Sequence, residues 1–263
     1  MPRWRAAGAL AVVTGASSGI GRCLTARLRH RRCRVIAVAR RRDRLEALAQ
    51  DDSTNLGSFI PVVGDITEEA TRESIANAVH EHGGQLDLLV NNAGVGAIGA
   101  FEDASSQRMR EVFEVNFFAP VELTRRLLPA LHASPDAVIC NVSSVLGHRA
   151  VPDKSEYCAS KFAMHGWSDS LRAELAGTSV QVTLVSPSTT RSEFFDSLVG
   201  TAEGTESRSL GSWSPERVAQ ATLRAIEKRQ DEAILSVGGK LLVLGDRIWP
   251  GMMNRILRRK PDR

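Results

Sequence analysis

Tyr157 and Lys161 are residues of this chain whose types and spacing could carry out proton chemistry. A phenol normally keeps its proton until about pH 10, so it works as an acid or base near neutrality only if its phenolate is stabilised. A lysine four residues later can supply the stabilising charge, because positions i and i+4 share one face of a helix. We therefore expect the ammonium to lower the pKa of the phenol. The pair alone is also typical of a solvated surface helix, so its interpretation depends on the rest of the chain.

Short β-branched runs alternate along the chain with longer amphipathic stretches. The predicted strands are Ala9–Thr14, Arg34–Ala39, Ser58–Val63, Leu86–Asn91, Ala137–Val142, Val180–Val185 and Glu232–Val237. The predicted helices are Gly19–Arg31, Asp43–Gln50, Glu68–His82, Gln107–Ala133, Ser155–Ala176 and Pro215–Arg229. This alternation predicts parallel strands with right-handed crossovers, and strands that are apolar nearly throughout predict helices on both faces. We expect an α/β, single-domain Rossmann-type doubly wound fold over residues 1–263, with a mostly parallel seven-stranded sheet.

A glycine-rich turn lies between the first predicted strand and the first predicted helix. Its residues are Thr14, Gly15, Ala16, Ser17, Ser18, Gly19, Ile20 and Gly21. Glycines let the backbone turn sharply and approach a pyrophosphate, while the helix N-terminus adds free N–H groups and partial positive charge. The spacing is Gly-x-x-x-Gly-x-Gly rather than the common Gly-x-Gly-x-x-Gly. We predict that this turn binds a dinucleotide; the alternative is a tight structural turn.

Basic residues end the second predicted strand, which runs into Arg40, Arg41 and Arg42 with no carboxylate before Asp43. An acidic residue at this place would bond the ribose 2′-hydroxyl of NAD(H), whereas a guanidinium suits a 2′-phosphate. We predict that Arg40, helped by Arg41, binds that phosphate, so that NADP(H) is favoured over NAD(H). The alternative is that these arginines are surface residues at the start of a helix.

Several motifs in this order resemble the classical short-chain dehydrogenases/reductases over about Ala9 to Val237. The motifs are Thr14–Gly21, Asp65 with Ile66, Asn91–Gly94, Asn116, Ser144, Tyr157 with Lys161, and Ser186 with Pro187. The spacing from Ser144 to Tyr157 is the usual one in the family, which favours Ser144 over Ser143. The resemblance implies interconversion of a carbonyl and an alcohol, with Tyr157 exchanging the proton and Ser144 bonding the substrate oxygen. It also implies that Lys161 bonds the nicotinamide ribose, and that Asn116 interrupts its helix and holds a water.

The resemblance further implies how the chain binds its cofactor. Asp65 and Ile66 would contact the adenine, Asn92, Ala93 and Gly94 would line the adenine–ribose side, and Pro187, Thr190 and Ser192 would hold the nicotinamide carboxamide. Taken alone, Asp65 could instead cap a helix, and Asn91 with Asn92 could be a polar turn. The chain has Ser188 where the family often has glycine, and Ser192 where it often has threonine. The glycine turn lacks a basic residue, so phosphate specificity rests on Arg40 and its neighbours.

Residues 186–213 form an irregular Ser-, Thr- and Gly-rich segment that breaks the alternation, and we predict a substrate-binding loop region there. Apolar side chains within this segment and in the predicted walls of the site are Phe194, Phe195, Leu198, Val199, Leu146 and Val151. These side chains indicate a hydrophobic ketone, aldehyde or secondary alcohol as substrate, although residues that only pack would have the same composition.

Residues 239–263 form a C-terminal amphipathic extension. Its apolar residues are Ile248, Trp249, Met252, Met253, Ile256 and Leu257, and its basic residues are Arg247, Arg255, Arg258, Arg259 and Lys260. Pro250 and Gly251 predict that a helix here is broken or begins only at Pro250. The extension could pack on its own subunit or a partner subunit, or residues 247–260 could dock on an anionic membrane surface.

Composition excludes several other classes of protein. A net charge of +4 permits nucleic-acid binding, but aromatic residues make up only 5% of the chain and no recognised motif is present, so we predict none. The four cysteines have no metal-like spacing and are expected to be free thiols, with no metal site. No membrane-spanning run or signal peptide is evident, so we predict a cytoplasmic chain that, by resemblance, forms a homodimer or homotetramer. A non-catalytic dinucleotide sensor or scaffold on the same fold remains the alternative function.

Overall fold

The computed structural model describes residues 3–50, 56–188, 190, 198–200 and 213–258. Its strands are β1 (Leu10–Thr14), β2 (Arg34–Ala39), β3 (Phe59–Val63), β4 (Leu88–Asn91), β5 (Ala137–Val142), β6 (Val180–Ser186) and β7 (Glu232–Ile234). Its helices are α1 (Gly19–His30), α2 (Arg42–Ala49), α3 (Glu69–Glu81), α4 (Ser106–Phe113), α5 (Ala119–Ala133), α6 (Ser155–Glu174), α7 (Pro215–Glu227), α8 (Val237–Ile248) and α9 (Pro250–Ile256). The predicted strands and helices therefore form, with small changes at their ends.

The strands make one parallel sheet in the order β3-β2-β1-β4-β5-β6-β7. One face buries Leu24 and Leu28 of α1 together with Leu223 of α7, and the other buries Ile75 of α3 and Leu123 of α5. Helices cover both faces because the strands between them are apolar on both sides, as in β5, which is buried throughout. The doubly wound Rossmann-type fold predicted from the sequence is confirmed. The strand order reverses between β1 and β4, the place where such sheets bind ligands.

The predicted helix over Gln107–Ala133 is interrupted. A π-helical turn spans Glu114–Phe118 and joins α4 to α5. The short turn widens the helix by one residue and places Asn116 in the interior, where its side chain is buried. Interruptions of this kind occur frequently at functional sites.

The last predicted strand ends earlier than expected. Ser236 caps a helix that the sequence did not predict, because its Oγ accepts a hydrogen bond from the backbone N–H of Gly239 at 2.8 Å. The strand therefore stops at Ile234 instead of Val237, and α8 follows. Trp249 has φ −134° and separates α8 from α9, which starts at Pro250.

Helices α8 and α9 are attached to the rest of the chain by Arg149. Its Nη1 donates to Asp246 Oδ1 at 2.7 Å, and its Nη2 donates to Asn254 Oδ1 at 2.6 Å. Val243 is buried beneath α8. The opposite side of the two helices exposes apolar side chains at Val237, Leu241, Leu244, Ile248, Trp249, Met252 and Ile256. Within the described residues, no helix has both the length and the apolar character that a bilayer span requires.

Candidate active site

The glycine turn and the end of β4 are held together at the point where the strand order reverses. Thr14 Oγ1 accepts hydrogen bonds from the backbone N–H groups of Asn92 and Ala93, each at 3.0 Å. Asn92 Nδ2 donates to the Thr14 carbonyl at 2.9 Å. The segment Asn91–Gly94 therefore holds the glycine turn against the end of β4, so the polar-turn alternative describes part of its role. Its place on the adenine–ribose side of a bound cofactor stays a prediction.

The glycines of the turn are required by close backbone packing. Gly15 has φ +67°, and a Cβ added to Gly21 would lie 2.2 Å from the Gly15 carbonyl oxygen. Ser18, the N-cap of α1, makes no side-chain capping bond, and the first turn of the helix contains no acidic residue. No carboxylate therefore neutralises the positive N-terminal end of α1, and the residues of the turn fit a pyrophosphate.

Arg41 and Arg40 lie beside this turn in different ways. Arg41 donates from Nε and Nη2 to Ser17 Oγ at 3.3 and 3.2 Å, so its guanidinium contacts the glycine turn directly. Arg40 is 66% exposed and its Nη1 lies 3.5 Å from Asp65 Oδ2. The sequence analysis favours Arg40 over Arg41 as the phosphate-binding residue, but in the structure it is Arg41 that contacts the glycine turn. Binding of a 2′-phosphate by these two residues stays a prediction.

Asp65 and Ile66, predicted to contact the adenine, have other partners in this structure. Asp65 Oδ1 accepts from the backbone N–H of Thr67 at 3.0 Å and from its hydroxyl at 2.9 Å, which is a local capping turn. The Ile66 side chain is buried in the core beneath the sheet. Contact with the adenine through these two positions stays a prediction.

Ser144 and Tyr157 are brought together by the end of β5 and the first turn of α6. The two side chains share a hydrogen bond, which favours the phenolate, but burial outweighs it and raises the pKa of Tyr157 to about 12. The neighbouring Ser143 donates elsewhere, to the backbone carbonyl of Lys161 at 3.3 Å. The structure thus pairs with the phenol the serine that the spacing favoured.

Lys161 lies next to the phenol ring but does not make it more acidic. Its Nζ donates to the Val142 carbonyl at 3.1 Å and lies 5.7 Å from the centroid of the Tyr157 ring. Burial lowers the pKa of Lys161 to about 8. Lys161 is not among the groups that shift the pKa of Tyr157, so the expectation that it lowers this pKa is wrong: desolvation disfavours the charged forms of both groups.

Asn116 joins α6 to the segment that follows β4. Its Oδ1 accepts from the backbone N–H of Val95 at 2.8 Å, and its Nδ2 donates to the Val95 carbonyl at 2.9 Å and to Ser160 Oγ at 3.0 Å. A Cβ added to Gly94 would lie 3.1 Å from Asn116 Oδ1 and 3.7 Å from Lys161 Nζ. The absence of a side chain at Gly94 lets these two groups approach the same point, while the water-binding role of Asn116 stays a prediction.

Sequence reasoning missed a buried ion pair beside the tyrosine. Arg108 of α4 donates from Nε and Nη2 to Glu156 Oε1 at 2.9 and 2.6 Å, and the two side chains are 4% and 1% exposed. Arg108 Nη1 also donates to the Gly200 carbonyl at 3.1 Å. Burial alone would raise the pKa of Glu156, but hydrogen bonds from its own backbone, Arg108 and Ser155 lower it. No sequence pattern signals this pair, because 48 positions separate its members.

The predicted substrate region is described only in part. The Pro187 carbonyl accepts from the backbone N–H of Val145 at 2.9 Å, and Thr190 is buried and paired with Trp213. Val199 packs against an apolar cluster formed by Val95, Ala97 and Val112. Leu146, Val151 and Leu198 are half-buried. Ser192, Phe194 and Phe195 lie outside the described residues.

Comparison with known proteins identifies the class. The family model for the short chain dehydrogenase matches residues 9–202, so this chain belongs to the short-chain dehydrogenase/reductase family. It is 33% identical over 241 residues to a dehydrogenase/reductase SDR family protein 7-like of Anopheles gambiae, which covers 87% of this chain and 75% of the relative. It is 36% identical over 199 residues to retinol dehydrogenase 8 of Bos taurus, which covers 73% of this chain and 63% of the relative.

Solved structures of the family have the same fold. A short chain dehydrogenase/reductase from Burkholderia phymatum in complex with NAD matches with a TM-score of 0.82 and 25% identity, covering 100% of this chain and 99% of that chain. A short chain dehydrogenase from Burkholderia cenocepacia in complex with NADP matches with a TM-score of 0.80 and 26% identity, covering 97% of this chain and 100% of that chain. Similar chains thus bind either dinucleotide.

Proposed function

We propose that this chain is an NADP(H)-dependent oxidoreductase that interconverts a hydrophobic ketone or aldehyde with its alcohol. The observation that carries the proposal is the hydrogen bond between Ser144 and Tyr157, with Lys161 Nζ 5.7 Å from the phenol ring. The glycine turn at the positive end of α1 stands at the same carboxyl edge of the sheet. A protein that only binds a dinucleotide has no use for a serine-bonded phenol beside a buried lysine at that edge.

The proposed reaction divides the work between the cofactor and the side chains. The bound nicotinamide supplies or accepts the hydride. In reduction, the Tyr157 hydroxyl donates its proton to the substrate oxygen; in oxidation, the phenolate takes the proton back. Ser144 donates a hydrogen bond to the same oxygen and fixes its distance from the phenol.

Lys161 completes the proposed acid–base machinery. Burial lowers the pKa of Lys161 to about 8, so near neutrality the lysine is mostly protonated and can stabilise a transient phenolate. Asn116 holds the backbone of Val95 and the Ser160 hydroxyl, which steadies the surroundings of Lys161. We propose that a water bound next to Asn116 connects Lys161 with solvent.

Tyr157→Phe is the direct test of the proposed chemistry. The variant keeps the ring and its packing but removes the acid, so turnover on a panel of ketones, aldehydes and alcohols should fall about a hundredfold or more. NADPH binding, followed by nicotinamide fluorescence, should change little. Cys158→Ser is a matched control in the same helical turn and should keep most of the turnover. Near-normal turnover of Tyr157→Phe would remove the tyrosine from the chemistry.

The preference for NADP(H) rests on Arg40 and Arg41. The contact of Arg41 with Ser17 and the position of Arg40 near Asp65 support a site for a 2′-phosphate. The double variant Arg40→Ala, Arg41→Ala should weaken NADPH at least about tenfold while leaving NADH nearly unchanged. Arg42→Ala is the control, since Arg42 is exposed and pairs only loosely with Glu46 at 3.9 Å. Tighter binding of NADH than NADPH by the unmodified chain would contradict the assignment.

A hydrophobic substrate is supported by the apolar cluster of Val95, Ala97, Val112 and Val199 beside the site. The similarity to a retinol dehydrogenase points in the same direction. In the substrate panel, kcat/KM should rise with the length of the apolar chain, by about fourfold for each added methylene that enters the cluster. Equal kcat/KM for short and long substrates would contradict this proposal.

We also propose that the chain self-associates and that its C-terminal surface docks on an anionic membrane. Met109, Phe118 and Phe162 expose apolar surface on α4, the π-helical turn and α6, which supports a homodimer or homotetramer. The exposed apolar row of α8 and α9 is accompanied by exposed Lys240, Arg247, Arg255 and Arg258. An apolar row with flanking cations is typical of helices that lie in a lipid interface.

A further inference from the structure

Two histidines and one glutamate meet between the turn after β5, the middle of α6 and the start of β7. His148, His165 and Glu232 each offer one nitrogen or oxygen atom, and these atoms all lie within 4.8 Å of one another. The two imidazole rings meet edge to face, with centroids 4.4 Å apart. The proposed reaction uses none of these three side chains, and their scattered positions in the sequence match no metal-binding motif.

Glu232 has few hydrogen-bond donors around it in this cluster. His148 Nε2 lies 3.0 Å from Ser186 Oγ and 2.9 Å from Glu232 Oε1. Glu232 Oε1 is buried, and apart from this close approach of His148 it has no hydrogen-bond donor among the described residues. A buried carboxylate oxygen with so few donors can take a cation as a further partner.

We propose that His148, His165 and Glu232 bind a divalent transition-metal ion, for which Zn²⁺ is the best fit. Two imidazoles and one carboxylate are a donor set that Zn²⁺ uses in proteins, whereas Ca²⁺ and Mg²⁺ prefer oxygen ligands. Tetrahedral donors at about 2.1 Å from zinc stand about 3.4 Å apart, so small side-chain rotations bring the three atoms to that spacing. A water would complete four-fold coordination, and Ser186 Oγ, 3.0 Å from His148 Nε2, is a polar neighbour that could bond it.

The surroundings of the cluster suit a metal ion. Asp169, one helical turn after His165, places Oδ2 3.5 Å from His165 Nε2, and carboxylates in such positions orient metal-binding imidazoles. The side chain of His148 is 4% exposed, but those of His165 and Glu232 are 19% and 30% exposed. An ion can therefore enter from the solvent side and be held against the buried imidazole.

The ion would connect three separate elements close to the candidate active site. His148 ends the short 3-10 turn that Ser144 begins, so a bound ion would hold the serine turn against α6 and β7. Because the ion binds the folded chain and finds no such arrangement after unfolding, it should raise the melting temperature.

The test uses the full chain after treatment with a chelator. Zn²⁺ titrated by calorimetry should bind with one ion per chain, and Co²⁺ should give the visible absorption of a four-coordinate site without a thiolate charge-transfer band. His165→Gln and Glu232→Gln should each weaken Zn²⁺ at least about tenfold, and Asp169→Asn about tenfold. The rise in melting temperature caused by Zn²⁺ should disappear in the first two variants.

Two controls separate this cluster from other possible zinc sites. His132→Gln changes an exposed histidine on α5, and Cys23→Ser removes a partly exposed thiol. Both should bind Zn²⁺ as the unmodified chain does. Absence of saturable binding, unchanged affinity in His165→Gln and Glu232→Gln, or loss of binding in Cys23→Ser would each overturn the proposal. Turnover measured in parallel distinguishes its failure from that of the oxidoreductase function.

Discussion

At the scale of single residues, desolvation shifts the pKa values of Tyr157 and Lys161 in opposite directions. Burial raises the pKa of Tyr157 to about 12 and lowers that of Lys161 to about 8, so each group is pushed toward its neutral form. Desolvation thus opposes the charged form of each group, and the hydrogen bond from Ser144 is the contribution that favours the phenolate.

The lysine should make the folded chain less stable near neutral pH. Between about pH 8 and 10.5 the unfolded chain keeps a proton on Lys161 that the folded chain has lost, so stability rises with pH in that window. The penalty is fully present below pH 8 and corresponds to about 3 kcal/mol. Lys161→Met should remove it at the cost of about 1 kcal/mol for the hydrogen bond to Val142, which leaves a gain of about 2 kcal/mol.

Urea unfolding at pH 7 and pH 10.5 checks this expectation. The Lys161→Met variant should be more stable than the unmodified chain at pH 7, lose that advantage by about pH 10.5, and have little turnover. Lys228→Met, at the exposed end of α7, should show neither effect. A Lys161→Met variant that is less stable at pH 7 would mean that the ammonium is not penalised by burial.

At the scale of elements, the candidate site is assembled where separate helices meet. The π-helical turn between α4 and α5 carries Asn116 to the backbone of Val95, while Arg108 of α4 binds Glu156 at the start of α6. Arg108 also bonds the Gly200 carbonyl, within the segment 186–213 that the sequence predicts to bind substrate. The position of Tyr157 therefore depends on α4 as much as on its own helix.

Removing one member of the buried Arg108–Glu156 ion pair should strongly destabilise the fold. Arg108→Ala leaves the Glu156 carboxylate buried without its partner and should lower the free energy of unfolding by about 3–5 kcal/mol, measured by urea denaturation. The double variant Arg108→Met, Glu156→Leu should recover most of that loss, because it removes both charges. Arg110→Ala, an exposed change on the same helix, is the control. A loss below about 1 kcal/mol for Arg108→Ala would contradict this reading.

The stability that the Arg108–Glu156 pair contributes should decrease at acidic pH. The pKa of Glu156 is lower in the folded chain than in the unfolded chain, so the pair stabilises the fold above the ordinary carboxyl pKa. That stability is lost as the pH falls through the lowered pKa. The difference between the unmodified chain and the double variant should therefore shift in favour of the variant on acidification.

At the scale of the whole molecule, the sheet presents the site at one edge and the C-terminal helices expose a separate apolar surface. Strand order and helix placement could be predicted from the sequence because buried parallel strands are apolar throughout and alternate with amphipathic stretches. The helix α8 could not, because Gly238, Gly239 and Gly245 lower helix propensity and the cap at Ser236 follows a strand directly. The Arg108–Glu156 pair and the His148 cluster depend on contacts between distant positions, which no local pattern encodes.

The C-terminal surface should bind vesicles that carry negative charge. Flotation with vesicles of phosphatidylcholine and phosphatidylserine should recover the full chain, whereas phosphatidylcholine alone should recover little. Leu244→Ser with Ile248→Ser should reduce binding through lost apolar area, and Arg247→Gln with Arg255→Gln through lost charge. Gly251→Ser, an exposed position on α9 where an added Cβ meets nothing within 4 Å, is a control for each pair. Failure of the unmodified chain to float would contradict the membrane proposal, and loss of oligomer in the leucine–isoleucine variant would assign the surface to a partner subunit.

The chain contains one tyrosine among 263 residues, and that tyrosine is Tyr157. Its phenolate absorbs ultraviolet light at wavelengths where the neutral phenol does not, so an alkaline titration observes a single, known hydroxyl. The folded chain should show that transition near pH 12, and the unfolded chain near the ordinary value of 10. The molecule thus carries an intrinsic optical reporter in its candidate active site, readable without labels or substrate.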